Sequence, residues 1–154
     1  QYEQGRLTRA AFLEHVRRRT GFVGTDEEFV TIWRGMFRPD RAIVRAWREL
    51  VQGGVELWYW SNTSEMHVPW VFEAFPEIAI HTGTVLSYRI GVAKPDPRFY
   101  RLGLELMGAS PQQCIFVDDD PQNCAAARDC GLTAVQHVDS RRTIATVRRL
   151  FGLL

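Results

Sequence analysis

An α/β protein with a parallel sheet covered by helices on both faces, Rossmann-like in outline, is the fold class that these 154 residues predict. Three observations predict it. The first fifty or so residues read as helix from end to end, with a cap and a stop for each segment. After Gly54 the period changes, and short apolar runs such as "VELWYW" and "CIFV" appear that are too short for helices. From there strand and helix alternate to the end of the chain, the pattern that places parallel strands between helices.

The elements follow in order. "TRAAFLEHVRRRTG" opens on a Thr8 cap, carries Ala11, Phe12 and Val16 as its apolar stripe and stops at Gly21. "TDEEFVTIWRGMF" repeats the logic from Thr25, with acidic residues in its first turn where the helix dipole favours them. "PDRAIVRAWRELVQGG" has Pro39 near its start and Gly53-Gly54 past its end. "VELWYW" is then a buried strand that runs into the polar loop "SNT". A helix over 64–75, a short strand near 82–87 and a helix over 97–107 come next. "CIFV" is a further strand, ending in "DDD". The helix "PQNCAAARDCG" starts at Pro121 and stops at Gly131, "LTAVQHV" is the last strand, and "SRRTIATVRRLFG" closes the chain. Residues 1–52 form a helical segment and 53–154 the α/β core, with no repeat, low-complexity stretch or linker.

Composition excludes several classes. A net charge of +1 offers no basic excess for nucleic acid, so Arg17-Arg18-Arg19 and Arg141-Arg142 are solvated helix faces. No apolar run approaches the roughly 18 residues of a membrane span, and "QYEQGRLTRAAF" has no signal-peptide pattern, which makes the cytoplasm the default location. Cys114, Cys124 and Cys130 have neither disulfide nor zinc spacing and read as small apolar residues.

Ligands of open α/β sheets bind beyond the carboxyl ends of the strands. Three features fall there: Ser61-Asn62, Lys94 in "GVAKPDPRFY", and Asp118-Asp119-Asp120. Lys94 is conspicuous because the other eighteen of the nineteen basic residues are arginine. Adjacent acids at a strand end repel one another, and a divalent cation would relieve that repulsion. A hydroxyl with an amide, then a lysine, then paired carboxylates can together bind a phosphate-like oxyanion and hold Mg²⁺ beside it.

"LWYWSNTSEMH", "GVAKPDPRFY" and "CIFVDDDPQNCAAARDCG" resemble, in order and spacing, the second, third and fourth motifs of the haloacid dehalogenase (HAD) superfamily. "FRPD" with the helices before it resembles the helical cap of its first subfamily. The resemblance implies a Mg²⁺-dependent hydrolase of phosphatase type acting on a small phosphorylated molecule. Ser61 would bind the phosphoryl oxygens with support from Asn62. Lys94 would steady the nucleophile and the transferring group, where a compact ammonium fits better than a planar guanidinium. Asp118 and Asp119 would hold the metal.

HAD enzymes also carry an apolar strand ending in Asp-x-Asp, whose first Asp is the nucleophile. No such strand lies ahead of Ser61 within the 154 residues, and the one Asp-x-Asp, Asp118 to Asp120, belongs to the fourth motif. In the family's sheet that strand lies between those ending at Ser61 and Asp118. Its loss would bare backbone groups along two edges. Three arrangements answer this: a piece of a longer protein, direct pairing of the two strands, or a second copy completing the sheet as a homodimer. Mg²⁺ would bind weakly to the remaining carboxylates. A non-catalytic module derived from the HAD scaffold is the reading from a different class. His67 reads as a residue on the helix leaving the phosphate loop, and His15, His81 and His137 as surface or structural. Trp58, Tyr59 and Trp60 either fill core between sheet and helix or fill the gap.

Overall fold

The computed structural model describes residues 1–153 and bears out the α/β class, with its sheet in two parts. Helices α1 (Arg9–Thr20), α2 (Asp26–Arg34) and α3 (Arg41–Gln52) come first. Strand β1 (Trp58–Ser61), helix α4 (Val68–Ala74), strand β2 (Gly83–Leu86) and the single turn α5 (Ser87–Ile90) follow. Then come α6 (Pro97–Met107), β3 (Ile115–Asp118), α7 (Pro121–Asp129), β4 (Thr133–Gln136) and α8 (Ser140–Leu150). No described helix is long and apolar enough to cross a membrane.

The caps act where the sequence placed them. Thr8 accepts from the Ala11 amide, and Thr25 and Glu28 form a reciprocal capping box. Two elements differ from expectation. The helix expected over 64–75 begins only at Val68, because residues 62–67 are held in turns by the bonds described below. The strand expected from Val55 pairs only from Trp58.

β1 pairs in parallel with β2, Ser61 opposite Leu86, and β3 pairs in parallel with β4, Asp118 opposite Gln136. The two pairs form separate sheets, so direct pairing of β1 with β3 does not occur. The rings of Trp60 and Phe116 meet across the gap at 6.0 Å. A groove of about 650 Å³ is left between the two pairs, lined by Trp47, Leu50, Trp58, Trp60, Phe116 and Val147 among others.

A shared core under the groove holds the halves together. Val85 comes from the first sheet and Phe116 from the second, and Phe99, Tyr100 and Leu104 of α6 pack against both. The ring of Trp60 lies on α6 at Gly103, where an added Cβ would meet it at 2.6 Å, so only glycine permits this approach. Tyr59 points the other way, donates to the Ile78 carbonyl at 2.8 Å and packs against Phe72 and His81. Burial raises its phenol pKa to about 12. The core reading of the aromatic run therefore holds for Trp60, while the gap beside it is lined and not filled by Trp58 and Trp60.

The first two helices build a second, aromatic core. Tyr2 stacks on Phe12 at 4.3 Å, and Phe12 and Phe29 meet Trp33 edge-on and stacked. The third helix lies against the last, tied by a Ser140 to Asp40 hydrogen bond and an Arg148–Glu49 ion pair. The three cysteines are free, and Cys124 is fully buried.

Helix α6 separates core from surface cleanly. Phe99 is wholly buried and Leu106 is 57% exposed on the same helix. Phe99→Ala is expected to destabilise the fold by about 3–5 kcal/mol and Leu106→Ala by less than about 0.5 kcal/mol, read by urea unfolding.

Candidate active site

The site grows from the carboxyl ends of β1 and β3. Lys94, in the loop between α5 and α6, reaches across both: its ammonium donates to the Trp60 carbonyl at 2.9 Å and to Asp118 Oδ2 at 2.5 Å. It also lies 5.4 Å from the centre of the Phe116 ring, a face that attracts a cation. The side chains of Lys94 and Asp118 are only 8% and 6% exposed, so this is a buried ion pair.

A buried carboxylate needs partners on every side, and Asp118 has them. Its Oδ1 accepts from the Asp120 amide and from Asn123 Nδ2, both at 3.0 Å. Burial alone would raise the Asp118 pKa. The hydrogen bonds from Lys94 and Asn123, with the charge of Lys94, outweigh it and hold the carboxyl below its ordinary value. Asn123 is itself buried, and Tyr100 donates to its carbonyl at 2.7 Å. Burial, with the nearby Asp118 charge, raises the Tyr100 pKa and keeps that hydroxyl a donor.

Ser61 ends β1 between two residues that bind Lys94. Trp60 offers its carbonyl to the ammonium, and Asn62 pairs with the lysine's backbone. The Ser61 hydroxyl makes only a long contact, 3.5 Å, to the Asn62 carbonyl, which leaves it free for a ligand. The wholly buried Ser87 fixes the loop from below, accepting from the Thr63 amide at 2.9 Å and donating to the Thr63 carbonyl at 3.2 Å.

Ser61, Asn62, Lys94 and Asp118 are thus brought together. The other two acids stand apart from the pair. Asp120 caps α7, accepting from the Gln122 amide at 2.8 Å, while Asp119 is exposed at the rim. As they stand, Asp118 and Asp119 do not fit a magnesium ion. Both oxygens of Asp118 are engaged by donors of the chain, and no group of three His, Cys, Asp or Glu among the described residues could share one.

His67 lies at the start of α4, buried, its ring stacked on Trp33 at 5.7 Å and meeting Phe37 edge-on. Desolvation by burial lowers its pKa, which favours the neutral imidazole. Arg34 of α2 donates to the Met66 carbonyl at 3.0 Å and lies over the Trp70 ring. The aromatic core of the first helices is thereby joined to the loop that follows Ser61. His137 bonds Thr143 and His81 stacks on Phe72, structural places for both. Sequence reasoning missed Asn123, Tyr100, Ser87 and the Trp60 carbonyl. Only Asn123 left a trace, as a polar residue one turn into a helix that starts directly after acids.

A family model described as haloacid dehalogenase-like hydrolase matches residues 7–131. The chain belongs to the haloacid dehalogenase-like hydrolases. A sesquiterpene phosphatase, astK of Aspergillus oryzae, is 28% identical to this HAD-like chain over 99% of its length and 78% of the relative's. The phosphoserine phosphatase of Thermus thermophilus is 40% identical over 38% of the chain and 24% of its own length. Among solved structures, a point variant of the HAD family enzyme bt-2542 from Bacteroides thetaiotaomicron, crystallised with magnesium and inorganic phosphate, superposes with a TM-score of 0.79. The two are 25% identical over 88% of this chain and 73% of the other. A HAD-like hydrolase from Porphyromonas gingivalis gives 0.80 at 20% identity, over 97% and 76%.

Removing Lys94 strands a buried charge. Lys94→Met is expected to cost about 3–5 kcal/mol at pH 7, and Lys94→Met combined with Asp118→Asn distinctly less than the sum of the single changes. Because the folded pKa of Asp118 is depressed, its share of stability is complete above the unfolded value of about 4 and is lost as pH falls through the folded one. Without Lys94 the Asp118 carboxyl titrates higher, so urea titrations should show the gap between wild type and Lys94→Met beginning to close as pH falls through the variant's carboxyl pKa and ending below that of the wild type.

Proposed function

We propose that this HAD-like chain is the body of a phosphatase that hydrolyses phosphate monoesters of small molecules. The observation that carries the reading is the junction at Lys94, where one buried ammonium joins the carboxylate of Asp118 to the Trp60 carbonyl, the residue directly before Ser61 and its free hydroxyl. Ser61 and Lys94 would take the phosphoryl oxygens, where hydrogen-bond donors aimed at developing charge have most effect. Phosphatase is favoured over dehalogenase because the relative matched along almost the whole chain, astK, is named for phosphatase activity.

The nucleophilic carboxylate would arrive on a strand outside Gln1–Leu154, lying in the groove between β1 and β3 with its last residues beside Lys94. The groove's two bare strand edges and apolar lining support this, as does the longer chain of the relatives. That strand would also bring the carboxylates that Asp118 and Asp119 lack for magnesium. Without it we expect calorimetry to give Mg²⁺ affinity no tighter than about millimolar. The exposed Ile32, Met36 and Phe37 at the end of α2 give the first two helices an apolar face suited to the non-phosphate part of a substrate. A prenyl phosphate is accordingly the first candidate to try, as the name of astK suggests.

The open groove also supports a second reading, a binding module whose work is to hold a partner's strand. Activity separates the two. The full-length protein should release inorganic phosphate from p-nitrophenyl phosphate and from prenyl monophosphates, and Ser61→Ala or Lys94→Met should lower kcat/KM by about 10²–10³-fold. Absence of phosphate release, or chloride release from 2-chloropropionate instead, would overturn the phosphatase assignment.

A further inference from the structure

We propose that Asn62 is a positioning residue that sets the place of Lys94, and that it acts through the lysine's backbone instead of touching the phosphoryl group. For its effect on turnover this rests on the phosphatase reading; for the geometry it does not. The side-chain amide of Asn62 behaves as a piece of backbone. Its Nδ2 donates to the Lys94 carbonyl at 2.9 Å, and its Oδ1 accepts from the Lys94 amide at 2.8 Å. Among the described hydrogen bonds, neither backbone group of Lys94 has another partner.

Those two bonds fix the root of a flexible four-carbon side chain, and the tip is fixed separately by the Trp60 carbonyl and Asp118. An ammonium held only at its tip would keep the rotamer freedom of its stem, and a displaced charge of about 1 Å can cost 100-fold in rate. Asn62 also follows Ser61 directly in the chain. The hydroxyl and the ammonium are therefore joined by one residue on one side and by the Trp60 carbonyl on the other. Their separation is set by a closed ring of covalent and hydrogen bonds, and Asn62 is the member of that ring whose side chain holds the lysine's backbone.

The test uses the full-length protein labelled with [¹⁵N]lysine, together with Asn62→Ala, Asn62→Asp, Lys94→Met and the Asn62→Ala/Lys94→Met double variant. In ligand-free protein, solvent exchange of the Lys94 amide and ammonium protons should quicken about tenfold or more in Asn62→Ala. Asn62→Asp keeps an acceptor for the amide but faces the Lys94 carbonyl with an oxygen. It should preserve amide protection while loosening the ammonium, and it serves as the readout if the alanine variant does not fold. With p-nitrophenyl phosphate, Asn62→Ala should lower kcat about 10- to 100-fold with little change in KM, and should lower it no further in the Lys94→Met background. Unchanged exchange in Asn62→Ala, losses that multiply in the double variant, or a raised KM at constant kcat would each overturn the proposal. The exchange measurement needs no substrate, so it stands even if phosphatase activity is not found.

Discussion

The Lys94–Asp118 ion pair is the contact on which the arrangement of this molecule rests. Asp118 ends a strand of one half-sheet, and Lys94, through Asn62 and the Trp60 carbonyl, is fastened to the end of a strand in the other. With no ladder between β1 and β3, the half-sheets are held in place by this pair above, Trp60 against Phe116 at the groove, the α6 face of Phe99 and Tyr100 below, and the ties of α3 to α8. Taking two charges out of water costs several kcal/mol each, and the cost is offset only where every lone pair and proton finds a partner. The amides and carbonyls around this pair supply those partners, which explains why so many polar groups converge on one point.

The aromatic residues of the first helices make sense on the same terms. A loop that holds Ser61 and Asn62 in a fixed relation to Lys94 has to be rigid over residues 62–67, and those residues lie outside any helix or strand. Rigidity is lent from outside. Trp33 stacks on His67, Arg34 bonds the Met66 carbonyl, and Ser87 holds both backbone groups of Thr63. The end of helix α2 thus braces the site through Trp33 and Arg34 while Ile32 and Met36 beside them are open to solvent.

Much of this was legible in the sequence because its signals are local. Thr8 and Thr25 marked their helices, Pro121 and Gly131 framed α7, and the apolar runs gave the strands and, with them, the strand ends where Ser61, Lys94 and Asp118 meet. What stayed hidden depends on tertiary context. Nothing in "VELWYW" reveals that Trp58 and Trp60 point into a groove while Tyr59 turns to the opposite face, beyond the alternation any strand has. The role of Asn123 depends on a carboxylate five residues earlier being buried, and that of Ser87 on a loop 24 residues away. The division of the acids was hidden for another reason. Three adjacent Asp look alike in sequence, but the turn into α7 gives one to Lys94, one to the helix cap and one to solvent.

The groove also bears on how the molecule keeps to itself. An unpaired strand edge on the outside of a sheet is an invitation to stack with neighbours into growing aggregates. Here the two bare edges are recessed and face each other, walled by Trp47 and Leu50 of α3 and Val147 of α8. A flat sheet from another molecule cannot reach them, whereas one extended segment can be threaded in and saturate both at once. Association through this groove would consequently be limited to one added segment, because a single strand occupies both facing edges at once.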